Sequence, residues 1–126
     1  MNWDASTRAQ LQAKYPRTHK GLASLVMAME YAARNMGKRT WYGADKGKKA
    51  YHKIGAGLRD TVQALHAEHL VSHDSPPDQV LSKLIAMLGL FQQAYPNWPA
   101  AYGFAQRFFA TEPELTFAVI NFVRAR

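Results

Sequence analysis

The chain has 126 residues, 48% of them apolar and 20% charged, a balance that describes one globular domain and excludes a disordered segment. It contains no cysteine, so disulfide scaffolds, thiolate metal sites, iron–sulfur clusters and cysteine nucleophiles are ruled out. The formal charge of +7 is uneven: residues 1–60 carry 12 Lys/Arg against 4 Asp/Glu, whereas residues 61–126 carry 4 against 5. One domain with a basic side suggests an anionic partner.

The first residues lack a basic stretch followed by an apolar run, so no signal peptide is expected. Together with the missing cysteines this points to the cytoplasm. The longest uncharged run, 23 residues between Lys83 and Arg107, contains Pro96 and Pro99 and therefore reads as helix–turn–helix, not as a membrane span.

In chain order, a short helix is predicted over 5–14, ending before Tyr15-Pro16 because proline disfavours a helical residue ahead of it. A second helix, 20–36, carries Leu22, Leu25, Val26, Met29, Ala33 and Met36 on one stripe, with Met27 and Tyr31 on the opposite side. Thr40 to Gly43 is a loop. A third helix is predicted over 45–72, with Tyr51, Ile54, Leu58, Val62, Leu65 and His69 as its buried face. Gly55 and Gly57 in its middle predict a kink, a break or a close packing contact. Ser75 is the expected cap of a fourth helix that runs to Ala94, apolar on most sides after Lys83 and so expected at the bundle centre. A fifth helix, 98–110, carries Trp98, Tyr102, Ala105 and Phe109 on one face, with Phe104 and Phe108 on another. Thr111 and Glu114 form a capping box for the last helix, which gathers Leu115, Ala118, Val119 and Phe122 on one face. No strand alternation is sustained. The expected architecture is all-α, a compact bundle of five or six helices forming a single domain over 1–126.

The most informative constellation is basic. Arg34, Lys38, Arg39, Lys46, Lys48, Lys49, Lys53 and Arg59 are opposed by one acid, Asp45, between residues 34 and 59. A 100° helical step gathers Lys46, Lys48, Lys49, His52, Lys53 and Arg59 opposite Tyr51, Ile54 and Leu58, with Trp41 and Tyr42 in the preceding loop. Cations suit phosphates and neighbouring aromatic rings suit bases, so these ten residues (eight Lys/Arg with Trp41 and Tyr42) are the candidate nucleic-acid site. The segment from Gly43 to Lys49 does not complete a phosphate-binding loop: the glycines are too close, Lys49 stands where a Ser or Thr must hold magnesium, and no strand precedes it.

His66, His69 and His73 would share one face of a helix reaching Ser72, and a metal, if bound, would use His69 and His73 with a ligand from elsewhere. Glu30 is the one carboxylate beside an apolar stripe, and an ion pair with a neighbouring base is its expected state. No serine stands in a nucleophile-elbow context, and no catalytic residue or cofactor is assigned. The expectation is a small non-enzymatic protein that contacts nucleic acid, DNA or RNA, through phosphates, within a nucleoprotein assembly. The alternatives are an adaptor or inhibitor docking on an acidic protein surface, and a metal- or ligand-binding bundle using the histidine face. No membrane association is expected, and the aromatic 95–109 segment is a candidate oligomer contact.

Overall fold

The computed structural model describes residues 3–36 and 45–125, with side chains described over 6–35 and 48–125. Six helices follow one another: α1 (Trp3–Lys14), α2 (Pro16–Met36), α3 (Asp45–Ala67), α4 (Pro77–Ala94), α5 (Pro99–Thr111) and α6 (Pro113–Arg124). There is no strand among the described residues. The expected all-α bundle is observed.

α2 is the element around which the others assemble. It lies along α3 for much of its length, packs broadly on α5, and touches α1 and α4. Its inner positions Leu22, Leu25, Val26, Ala28, Met29 and Ala32 are buried, in the 3–4 spacing of one stripe. α4 was expected at the centre from its composition. It instead keeps one side outward, with Ile85 46% and Leu90 39% exposed, while Val80, Leu84, Met87, Leu88, Phe91 and Ala94 face the core. Its apolar character exceeds what the bundle covers.

α2 and α3 are antiparallel. Gly21 lies against Thr61, Leu25 against Gly57, and Tyr31 against Lys53, pairings that advance on one helix as they retreat on the other. A Cβ built on Gly21 would stand 2.9 Å from the Thr61 Cα, and one built on Gly57 would stand 2.9 Å from the Leu25 Cα. One glycine from each helix thus lets the two backbones approach. This answers the question posed by Gly55 and Gly57: α3 runs through both unbroken, Gly57 is a packing contact, and Gly55 faces open space. Thr61 is fully buried and satisfies its hydroxyl by donating to the Gly57 carbonyl at 2.7 Å.

Besides the start of α2, which lies at Pro16 and not at Lys20, three boundaries differ from expectation for identifiable reasons. α3 ends at Ala67, five residues early, in a Schellman motif: the Leu70 N–H reaches the Leu65 carbonyl at 2.9 Å and the His69 N–H reaches that of His66 at 3.1 Å. His69 occupies the left-handed position, φ 60°, and its side chain is exposed instead of packed. No glycine announces this stop. At α4 the cap is Pro76, and the Ser75 hydroxyl accepts the Ser72 N–H at 3.0 Å. At α6 the cap is Glu112. Thr111 still belongs to α5, where its hydroxyl donates to the Arg107 carbonyl at 2.7 Å, so the capping box is not formed. In both cases a proline at the first helical position sets the start.

Ties between sequence-distant elements close the helix ends. The Glu68 carboxylate accepts the N–H groups of Arg17 at 2.8 Å and Thr18 at 2.7 Å, capping α2 from beyond α3. Burial would raise this carboxyl, but the hydrogen bonds at Thr18 and Arg17 and the Arg17 charge outweigh it and hold the group below its ordinary range. Arg8 of α1 donates to the Ala94 carbonyl at the end of α4, and its guanidinium lies 4.7 Å from the centre of the Tyr95 ring. The Tyr102 hydroxyl donates to the Tyr95 carbonyl at 2.6 Å, and burial pushes its phenol up to about 12.

Candidate nucleic-acid interface

The outward side of α3 is built from the positions left over once Ile54, Leu58, Val62 and Leu65 are buried, with Lys53 at its border with α2. Lys48, Lys49, His52, Lys53 and Arg59 all lie there and all are exposed. No carboxylate among the described residues is within ion-pair distance of any of them. Arg34, in the last turn of α2, is exposed but occupied: its Nε donates to Glu30 Oε2 at 2.8 Å, one turn back. The expected ion pair of Glu30 is therefore present, and its second oxygen is buried without a partner among the described residues. The Lys53 ammonium lies 5.3 Å from the centre of the Tyr31 ring. Lys38, Arg39, Trp41 and Tyr42 fall outside the described residues, as does the side chain of Lys46, so the aromatic part of the expected site has no structural description.

Gly55 and Ala56 lie between these cations along the helix. Small residues there leave grooves on both flanks of α3. The groove toward α6, of 410 Å³, has His52 and Arg59 on its lips and Tyr51, Ala56, Leu115, Val119 and Phe122 among its walls. The groove toward α2 holds Met27, Tyr31, Lys53 and Asp60. Met27, 64% exposed, faces outward as the sequence pattern requires.

The α6 wall was not foreseen in this role. The helix buries Thr116, Ile120 and Val123. Leu115, Ala118, Val119 and Phe122, the more apolar face, form the groove wall, and Phe122 is 53% exposed. The threonine disguised the inner stripe. The 3–4 spacing of 116, 120 and 123 was the available signal.

The histidines do not form the expected face, because α3 stops before two of them. His69 is exposed in the turn, whereas His66 and His73 are brought together with their rings stacked 5.3 Å apart. The Arg124 Nε donates to the His73 carbonyl at 3.1 Å. Burial, with His73 and Arg124 nearby, pushes the His66 imidazole down. No group of three or more His, Asp or Glu among the described residues is arranged to hold a metal ion.

The aromatic segment is largely absorbed. Ala101, Tyr102, Ala105 and Phe108 are buried, Phe104 and Phe109 are half-buried against the core, and Trp98 alone of the 98–110 aromatics is exposed. His19, burial-depressed, packs against both the Phe91 and Tyr95 rings, at 5.8 and 5.6 Å, and hydrogen-bonds the Tyr95 hydroxyl at 2.7 Å. No helix of the described residues is long and apolar enough to cross a membrane. No family model, curated protein or solved structure matches the chain.

Proposed function

We propose that the protein binds nucleic acid through phosphate contacts on the outer face of α3, without reading base edges, as a non-enzymatic component of a nucleoprotein assembly in the cytoplasm. The observation that carries this reading is the exposure of Lys48, Lys49, His52, Lys53 and Arg59 together, with no ion pair to a described carboxylate. Cations with no described carboxylate paired to them are available to a polyanion, and release of its counterions drives association. Their spread over about three helical turns, roughly 16 Å, suits a run of successive phosphates better than one small anion.

A gel shift across a salt series tests the reading. With four phosphates neutralised, log K falls against log[salt] with a slope of about −3 to −4. Lys48→Glu with Lys49→Glu weakens every sequence alike, because phosphates carry no base information. No retardation of single- or double-stranded DNA or RNA at about 50 mM salt, where phosphate-driven binding is strong, overturns the reading. An acidic protein partner would then be the occupant of the same face.

A further inference from the structure

We propose that the groove between α3 and α6 receives an unstacked base, which makes the protein selective for single-stranded over duplex nucleic acid. This rests on the phosphate reading of α3 and deepens it. The groove combines cationic lips with apolar walls. Its lips carry His52 and Arg59, both on the basic face, and its walls are apolar, with Phe122 53% exposed. No carboxylate lines it. The groove between α2 and α3 contains Asp60, and its lysine already lies over the Tyr31 ring. The groove between α4 and α5, also 410 Å³, has no charged residue in its lining and so offers a polyanion nothing.

A strand whose phosphates follow Lys48, Lys49 and Arg59 along α3 has its bases beside this groove. A base entering it exchanges water for an aromatic ring and aliphatic walls while its own phosphate stays at the cationic lip, the combination that single-strand binding surfaces use. Duplex bases are already stacked and paired, so a duplex gains only the phosphate contacts. The floor has room: a Cβ on Gly55 would meet nothing within 4 Å. Charge therefore selects the occupant, and exposed apolar area selects its unpaired form.

Fluorescence anisotropy with three labelled probes tests this: an oligothymidylate, an abasic strand of equal length, and a duplex. The wild type is expected to bind thymidylate about 10-fold more tightly than the abasic strand, a difference in the range of one stacked base. Phe122→Ala is expected to weaken thymidylate binding by about 5- to 100-fold and leave the abasic strand and duplex unchanged. Gly55→Leu, which fills the groove from an open position, is expected to do the same. Both variants are checked for unchanged melting, and either one alone suffices if the other fails to fold. Equal binding of all three probes with neutral variants overturns the groove proposal and leaves the phosphate reading standing. So does an equal loss on all three probes. Absence of binding to any probe overturns both.

Discussion

Glu68 and Thr18 are fifty positions apart, yet the Glu68 carboxylate accepts the Thr18 N–H at 2.7 Å, so the residue that leaves one helix supplies the first-turn cap of another. The antiparallel pairing of α2 and α3 brings the end of one to the start of the other. Glu68→Ala is expected to destabilise the protein by about 1 kcal/mol, the usual worth of a side-chain cap, and to lower the melting temperature by about 4 °C. The effect depends on pH in a defined sense. The folded carboxyl is held below its ordinary 4.5, so its contribution is complete above that value and is lost as pH falls beneath it. Melting curves for wild type and Glu68→Ala should converge in acid and separate at neutral pH.

The glycines of α3 give a paired test of the helix packing. Gly57→Ala places a methyl group 2.9 Å from the Leu25 Cα, where backbone and not a flexible side chain must yield, and should cost about 1–3 kcal/mol. Gly55→Ala, two residues away in open space, should stabilise by about 0.5–1 kcal/mol, because alanine is the better helix former. Denaturant titration of the two variants should therefore move in opposite directions. Equal effects would contradict the register of α2 on α3.

His69 sits at φ 60° in the position that glycine usually takes after a helix. His69→Gly removes a Cβ from a left-handed backbone and, since the side chain is exposed, gives up little packing. A gain of about 0.5–1 kcal/mol in urea unfolding is expected. A loss would show that the imidazole contributes more than its turn costs.

Acid should also act through two imidazoles. His19 and His66 are both pushed below 6.5, mainly by burial. The unfolded chain therefore binds these protons first, and stability present at neutral pH declines as pH falls through 6.5 toward the folded values. Proton NMR titration should find both rings changing charge below that pH. His66→Gln should flatten the melting-temperature profile in this window.

Leu84 and Leu88 were legible as core from the cap and the apolar run alone, and both are buried, Leu84 completely. Replacement of either by alanine is expected to cost about 2–5 kcal/mol, with Leu84 toward the upper end. Leu22, Leu25, Val26 and Met29 of α2 and the α3 stripe from Ile54 to Leu65 were equally readable from 3–4 periodicity, whereas Ala33 and Tyr51, expected on the same stripes, are only half-buried. The end of α3 was not, since a histidine took the place of the glycine that signals a stop. That one boundary moved His69 off the helix and brought His66 to His73 instead. The inner face of α6 was hidden for a related reason: Thr116 interrupts its stripe, while the outward face with Phe122 is the more apolar. Periodicity tells which residues share a side, and only packing tells which side is inward. The cations of α3 were readable because exposed charge on a helix needs no tertiary information.

The position of α2, in contact with α1, α3, α4 and α5, sets an order of local opening. Its middle amides, near Leu25 and Met29, can reach solvent only when the neighbours separate, so native-state hydrogen exchange there should report the global unfolding free energy. α6 rests mainly on α3 and α4 and should exchange earlier, through partial openings. The groove wall that carries Phe122 thus belongs to the part of the bundle able to yield, while the lysines opposite it ride on a helix clamped to the slowest-exchanging element. A ligand bridging the two would be detected as added amide protection in α6, with little change in α2.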